Sequence, residues 1–207
     1  MLDYKLVVIG AHFGVWLKDE VSKHKKDNIL LVEPVPYNYE ILKEEYKNFD
    51  NIKICTNALI DHNEIKDFYY IKANSIHKLG KHWASGIGSF DKQHILNHRS
   101  KRFKVEDADI ESTKVEFITF DKLVEKFLIK SIYKLQIDVE GAEYEVLKSI
   151  DLSKISIEQI LFESKHFDGT FQEGKKLGEI KQKLLSYGYK IEKLDNENII
   201  AKKWMER

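Results

Sequence analysis

Short apolar runs alternate along the chain with amphipathic segments, and this alternation predicts the architecture. The apolar runs are typical of strands buried on both faces, and they cover residues 5–9, 29–32, 52–60, 132–139 and 159–163. Segments with apolar residues at helical spacing follow most of them, at residues 13–21, 41–49, 120–127 and 177–185. Strand–helix alternation of this kind predicts an α/β fold with a doubly wound, mostly parallel sheet.

Two hairpins are predicted beside this alternation. Residues 189–194 and 198–203 alternate apolar and polar positions around a polar turn, which predicts an antiparallel hairpin at the end of the chain. Residues 61–64 predict a turn that joins the 52–60 strand to a strand ending near Ile71. A further alternating strand is predicted at residues 115–119.

Residues 73–112 are the least regular stretch of the sequence. A plain loop of this length is uncommon inside a compact domain. We therefore predict one domain over residues 1–207, with a substrate-binding lid inserted at 73–112.

Composition narrows the class of protein without naming a function. The 207 residues suit one domain, and their formal net charge of zero gives no reason to expect a nucleic-acid or membrane partner. No apolar segment approaches the ~18 residues of a membrane span, and no signal peptide is visible. The single cysteine, Cys55, excludes an intramolecular disulfide and is interpreted as a core residue. A cytoplasmic enzyme or binding protein is expected.

The first two strands end in residues suited to binding a nucleoside. Gly10 and Gly14 lie between the first strand and the first helix, where exposed amides can bind a polar or anionic group. His12 takes the place of the middle glycine of a dinucleotide-binding fingerprint. Glu33 ends the second strand, where a carboxylate can accept both hydroxyls of a ribose. An adenosine-type cofactor is therefore predicted.

Two carboxylates at the end of the 132–139 strand decide between the possible cofactors. Asp138 and Glu140 precede Gly141 and a helical pattern, so they lie at the carboxyl end of a buried strand, where ligands bind in open α/β sheets. Nearby carboxylates attract a sulfonium or ammonium group and repel a pyrophosphate. The residues thus favour S-adenosylmethionine over a nicotinamide dinucleotide, with an oxidoreductase as the weaker alternative.

Six segments together resemble the FkbM family of S-adenosylmethionine-dependent methyltransferases. They occur in family order, and the one around Asp138 is the most specific; they are VVIGAHFG (7–14), LLVEPVPYNYEIL (30–42), NALID (57–61), VEFITFDKLVEKF (115–127), KLQIDVEGAEYEVLKSI (134–150) and ILFES (160–164). The resemblance implies a class I methyltransferase fold with a seven-stranded sheet. It also implies methyl transfer, mostly to hydroxyl oxygens of sugars or natural products.

The same resemblance implies the residues that contact the cofactor. Gly10, His12 and Gly14 would line the methionine and ribose, Glu33 with the adjacent Pro34 would hold the ribose, and Asn57 and Ala58 would approach the adenine. Asp138 would lie near the sulfonium and the acceptor.

The chain departs from the family pattern at two positions of the first motif. That motif usually reads Asp-Val-Gly-Ala-Asn-x-Gly, and here Val8 replaces the aspartate and His12 the asparagine. Loss of the aspartate removes a polar anchor at the methionine end. A binding module that keeps the cofactor site without catalysis is therefore a further alternative.

Candidate acid–base residues follow the strand beside Asp138. Glu163 and His166 end the 159–163 strand, so with Asp138 they form the predicted catalytic set. A metal held by Asp138, Glu163 and a histidine could polarise an acceptor oxygen. No ligand spacing specifies such a site, so no metal is predicted.

The 73–112 insertion carries the candidate acceptor-binding residues. An aromatic ring can cover a sugar face, and cations can bind a phosphate or carboxylate; the predicted set is Trp83, His94, His98, Arg99 and Arg102. An anionic acceptor is therefore the hypothesis. The alternative is a solvated flap whose cations are neutralised by the acidic residues within 106–111.

Overall fold

The computed structural model describes residues 1–97, 99–100, 103–139, 141–165, 167–168 and 172–203. The strands, in chain order, are β1 Leu2–Ile9, β2 Asn28–Val32, β3 Ile52–Cys55, β4 Ala58–Leu59, β5 Glu64–Ile71, β6 Gly88–Ser89, β7 Arg99–Ser100, β8 Phe103–Lys104, β9 Ile110–Ile118, β10 Ile129–Ile137, β11 Ser156–Glu163, β12 Tyr189–Lys193 and β13 Asn198–Lys203. The helices are α1 Lys18–Lys23, α2 Pro36–Glu45, α3 Ala73–Leu79, α4 Lys92–Asn97, α5 Phe120–Lys126, α6 Glu143–Ser149 and α7 Lys175–Ser186. Three short 3-10 turns add Val15–Leu17, His82–Gly86 and Asp107–Asp109.

The main sheet has seven strands in the order β12-β13-β11-β10-β1-β2-β3. Neighbouring strands from β3 to β11 pair in parallel, and β13 runs antiparallel to both of its neighbours. The predicted mostly parallel α/β sheet with an antiparallel carboxyl-terminal hairpin is therefore confirmed.

Both faces of this sheet are buried, as the continuous apolar runs require. On β1, Val7 and Ile9 face one core cluster while Leu6 and Val8 face the other. The helix α7 buries Leu177, Ile180 and Leu184 against the first of these cores. None of the helices in the described part of the chain combines the length and the apolar character needed to cross a membrane.

The register of the parallel strands aligns their carboxyl ends. Ile9 pairs with Val32 on one side and with Ile137 on the other, and Ile137 pairs with Phe162. The residues that follow these partners therefore lie along one edge of the sheet, and they are Gly10, Glu33, Asp138 and Glu163.

A second, four-stranded sheet corrects one prediction. Its order is β4-β9-β5-β6, with β4 parallel to β9 and β5 antiparallel to β9. The predicted hairpin across residues 61–64 is wrong, because β9 separates β4 from β5. The predicted 52–60 strand is also divided, since the chain leaves the main sheet after Cys55 and joins the second sheet at Ala58.

The 73–112 insertion has regular structure and a small core of its own. It contains α3, α4 and the short strands β6 to β8. Ala84, Ile87, Ile95 and Val105 pack there against Ile71, at the end of β5.

Candidate functional site

A cavity of about 290 Å³ lies at the carboxyl ends of the central strands. Its volume is near the lower end of the roughly 300–1,000 Å³ found for small-molecule sites. Gly10, Glu33 and Asp138 line it from the main sheet, and Phe117 and His94 line it from the second sheet and the insertion. The position is the one at which open α/β sheets bind ligands.

Gly10 is required by the close approach of two strands. Its φ is +88°, and a Cβ at this position would lie 1.6 Å from the carbonyl oxygen of Asp138. The Gly10 amide donates to the Val32 carbonyl at 3.0 Å, while the Asp138 amide donates to the Ile9 carbonyl at 2.9 Å. This glycine therefore sets the distance between the first turn and the Asp138 segment.

Gly14 is placed by packing against α2. A Cβ there would lie 2.6 Å from Leu42 Cδ2, and the Tyr46 hydroxyl donates to the Gly14 carbonyl at 2.9 Å. Gly14 is not among the described residues that line the cavity. Val8, at the family's aspartate position, is fully buried in the core on the same face of the sheet.

His12 connects the first turn to Glu33 and to the insertion. It has a positive φ of 55°, and its amide donates to Glu33 Oε2 at 2.8 Å. Its ring nitrogen Nε2 is hydrogen-bonded to the hydroxyl of Ser85. The His12 ring, which is not among the described residues that line the cavity, thus holds the insertion against the turn.

Glu33 is a buried carboxylate in the cavity wall. Oε1 accepts from the Val35 amide at 2.9 Å, and Oε2 accepts from His12. Burial raises the pKa of Glu33 to about 7, although these backbone donors act in the opposite direction. Asn38 Nδ2 also donates to Oε1 at 3.5 Å, so the acceptor capacity that remains for a ligand hydroxyl is on Oε2. The neighbouring Pro34 also lines the cavity.

Asn57 and Ala58 line the cavity just after the chain leaves β3. In the main sheet β1 and β2 lie between β3 and β10, so these residues are at the far end of the cavity from Asp138. The Asn57 amide nitrogen donates to the carbonyl and to the carboxylate of Glu116, each at 2.9 Å, and its oxygen accepts from Lys126 Nζ at 2.7 Å. The polar atoms of the Asn57 side chain are therefore already hydrogen-bonded to β9 and α5. Ala58 offers a small apolar surface.

Asp138 and Glu163 lie side by side at the ends of β10 and β11. Asp138 is solvent-accessible within the cavity, and the surrounding protein still raises its pKa by desolvation. Burial and the charge of Asp138 raise the pKa of Glu163 to about 7. The predicted third member, His166, lies outside the described residues.

Glu143, in the first turn of α6, adds a third carboxylate beside Asp138 and Glu163. Its two oxygens accept from the amides of Val139 at 2.8 Å and Gly141 at 3.0 Å, which fixes the turn after β10. Burial raises the pKa of Glu143 to about 8, with smaller contributions from the charges of Glu163 and Asp138. Glu140 lies outside the described residues. In the sequence, the signal for this role of Glu143 was its position two residues after Gly141, at the start of α6.

The predicted acceptor residues are placed at different distances from the cavity. His94 lines it and packs against Gly141, where a Cβ would lie 2.9 Å from the His94 ring. Trp83 is about half exposed and is not among the described lining residues. The other predicted residues, His98, Arg102 and the side chain of Arg99, lie outside the part of the chain that the structure describes.

Cations of the insertion are paired with the acidic residues that follow them. Lys78 Nζ lies 2.9 Å from Asp109 Oδ1, and Lys92 Nζ lies 2.7 Å from Asp107 Oδ1. Lys104 Nζ lies 3.4 Å from a Glu106 oxygen. These three ion pairs agree with the alternative in which the insertion is a solvated flap whose cations are neutralised by acidic residues.

An aromatic wall of the cavity was not predicted. Phe90 and Phe117 meet edge to face with ring centroids 6.5 Å apart, and both line the cavity beside Phe68. Lys66 Nζ lies 4.5 Å from the Phe90 ring centroid and 4.8 Å from that of Phe117. Phe68 on β5 and Phe117 on β9 have the sequence pattern of ordinary core residues, and Phe90 follows β6 in the insertion.

Comparison with known proteins identifies one family. A family model described as the methyltransferase FkbM domain matches residues 9–191, which is most of the chain. No curated protein matches the sequence.

Solved structures with a similar chain path share little sequence. A precorrin-6y C5,15-methyltransferase from Geobacter metallireducens is 12% identical with a TM-score of 0.46, over 98% of this chain and 83% of that chain. A putative methyltransferase from Streptococcus mutans in complex with SAH is 8% identical with a TM-score of 0.43, over 98% and 91%. At these values the similarity carries no information about a substrate.

Proposed function

Because the chain belongs to the FkbM methyltransferase domain family, and so is an S-adenosylmethionine-dependent methyltransferase, we propose that it methylates a hydroxyl oxygen of a sugar, glycan or natural product. The observation that carries this proposal is the position of Asp138 and Glu163. Asp138 lines the same cavity as Glu33, and Glu163 is buried next to Asp138. One end of the cavity thus suits a ribose, and the other suits a cationic centre beside a hydroxyl group.

The residues present fit the cofactor that the family uses. When bound, S-adenosylmethionine supplies an electrophilic methyl group on a sulfonium. Glu33 Oε2 has a lone pair left for a ribose hydroxyl, while Ala58 and Phe117 offer an apolar surface for the adenine. Gly10, with His12 and Gly14 in the same turn, would keep the backbone close to the methionine portion. Because the side chain of Asn57 is already hydrogen-bonded within the protein, we assign the adenine contacts to the backbone of Asn57 and to Ala58.

At the acceptor end, Asp138 would accept the hydrogen bond of the acceptor hydroxyl. Orientation of that oxygen toward the methyl group can supply most of the rate enhancement. Removal of the hydroxyl proton by a carboxylate can add roughly 10²–10⁴-fold. Glu163 lies beside Asp138 and would hold the same group, and His166 remains a prediction.

The 73–112 insertion would cover the acceptor. Ser89, Phe90 and His94 bring it to the cavity, and His12 hydrogen-bonds to Ser85 within it. Trp83, His98, Arg99 and Arg102 would contribute to acceptor binding at its outer part. Since the described lysines Lys78, Lys92 and Lys104 have acidic partners, a neutral sugar is favoured over an anionic one.

Calorimetry and product analysis test this proposal. We expect the full-length protein to bind S-adenosylmethionine and not NAD, and to release S-adenosylhomocysteine when a panel of sugars and hydroxylated natural products is supplied. Cofactor binding with methyl transfer only to nitrogen or carbon acceptors would overturn the oxygen assignment.

Cofactor affinity is expected to depend on pH through Glu33. Ribose hydroxyls donate to the ionised carboxylate, so binding favours the ionised form, whereas the free protein holds the pKa of Glu33 at about 7. Affinity should therefore fall as the pH drops through 7, by roughly tenfold between pH 8 and pH 6. Calorimetric titrations at several pH values measure this change.

The variant Glu33→Gln is the matched control for that pH profile. Glutamine keeps an oxygen acceptor without a titrating carboxyl, so it should bind more weakly at pH 8 and lose the Glu33 contribution to the profile. Tyr37 also faces Glu33, but burial and the Glu33 charge raise its pKa, so it stays neutral throughout. Parallel pH profiles for wild type and variant would contradict the ribose role.

A further inference from the structure

Three carboxylates from three separate elements converge at Asp138, which lines the acceptor end of the cavity. Asp138 follows β10, Glu163 ends β11, and Glu143 begins α6. One oxygen of each lies within 4.8 Å of the others. The pairing of Ile137 with Phe162 brings the first two together, and the turn at Gly141 returns the chain so that Glu143 completes the set.

The described surroundings do not neutralise this cluster. Lys165 Nζ lies 3.5 Å from Glu163 Oε1, but it lies equally close to Glu197 Oε1. Among the described residues, no other ion pair of the three carboxylates is present. With one shared ammonium nearby, the three carboxylates can all be ionised together only if a further cation is bound.

The buried oxygen Oε2 of Glu163 indicates that a positively charged partner binds at this cluster. Glu163 is only 8% exposed, and within the described part of the chain this oxygen has no hydrogen-bond partner. Buried polar atoms are nearly always satisfied, and each exception calls for a ligand or an explanation. Glu143 differs, because backbone amides hold both of its oxygens in place and fix its orientation toward the cluster.

We propose that Asp138, Glu143 and Glu163 bind one divalent cation. Carboxylate oxygens from three directions are the ligands preferred by Mg²⁺, Mn²⁺ and Ca²⁺. Three protein ligands leave coordination positions for water and for one further oxygen. Each residue offers one oxygen, so Asp138 keeps its second oxygen for a hydrogen bond.

A cation at this position would also act on the acceptor. This step rests on the proposed function: a cation held at Asp138 would bind the acceptor oxygen, polarise it and fix its position. A sugar with two adjacent hydroxyls would then be preferred, since the second hydroxyl can occupy another coordination position.

Binding of Mn²⁺ alone to the full-length protein, after treatment with EDTA and its removal, tests the site. We expect one saturable site by calorimetry and by the paramagnetic resonance of Mn²⁺. Glu163→Gln and Asp138→Asn should each weaken Mn²⁺ binding by about tenfold or more. The control Glu192→Gln removes a solvent-accessible carboxylate whose partners are Lys190 and Lys202, and it should leave Mn²⁺ affinity unchanged.

Two results would overturn the cation site. One is the absence of saturable Mn²⁺ binding at millimolar concentration, which would leave the carboxylates to share protons. The other is equal Mn²⁺ affinity in wild type, Glu163→Gln and Asp138→Asn. Thermal unfolding establishes that each variant is folded. S-adenosylmethionine binding and product release in EDTA are measured separately, so a failed cation site is distinguished from a failed oxygen-transfer proposal.

Discussion

Replacing Gly10 by alanine is expected to destabilise the protein by about 2–5 kcal/mol and to abolish cofactor binding. The added Cβ would lie 1.6 Å from the Asp138 carbonyl oxygen, so β1 and the Asp138 segment would have to separate. A left-handed backbone adds about 1–2 kcal/mol for a residue with a Cβ, and overpacking a core typically adds about 1–3 kcal/mol. Urea unfolding measures the loss of stability, and calorimetry measures cofactor binding.

Gly178→Ala is the matched control for this substitution. Gly178 lies inside α7, and a Cβ there would meet nothing within 4 Å. Alanine is favoured over glycine in a helix by roughly 0.5–1 kcal/mol, so this variant should be slightly more stable than wild type. If Gly10→Ala unfolded at the wild-type urea concentration and bound the cofactor normally, the close approach would not matter.

The location of the site was predictable because parallel strands end together. Continuous apolar runs specify strands buried on both faces, and polar residues directly after such runs must meet at one edge of the sheet. Gly10, Glu33 and Asp138 follow this rule, and the structure places all three around one cavity. Periodicity within single segments was sufficient for this part of the fold.

Pairings between distant segments were not predictable in the same way. The polar turn at residues 61–64 has the composition of a hairpin turn, yet β9, more than forty residues later, inserts between β4 and β5. Asn57 stabilises this pairing through Glu116, a partner that local sequence does not reveal. The aromatic wall of Phe90 and Phe117 depends on the same long-range arrangement.

Glu143 has two roles in the structure, and the sequence indicates only one of them. A carboxylate in the first turn of a helix is favoured by the helix dipole, and that suffices to explain its presence. Its hydrogen bonds to Val139 and Gly141, and its position near Asp138 and Glu163, follow from the tight turn after β10. Turn geometry of this kind is specified by tertiary packing, including the contact of His94 with Gly141.

Asp138→Asn is expected to lower kcat by roughly 10²–10⁴-fold while the protein stays folded. Asparagine has nearly the same shape, and the side chain is solvent-accessible within the cavity, so little packing is lost. The amide cannot take a proton from the acceptor hydroxyl, and it is a weaker cation ligand than a carboxylate. S-adenosylmethionine should still bind, with a modest loss of affinity because one carboxylate near the sulfonium is removed.

Rates of S-adenosylhomocysteine release and calorimetric cofactor affinity, measured on the same preparations, separate these effects. Asp61→Asn is the matched control, because Asp61 is an exposed aspartate whose carboxylate contacts His62 away from the cavity. That variant should keep wild-type kcat and cofactor affinity. A large fall in cofactor affinity with unchanged kcat for Asp138→Asn would instead make Asp138 a cofactor-binding residue and assign the acceptor hydroxyl to Glu163.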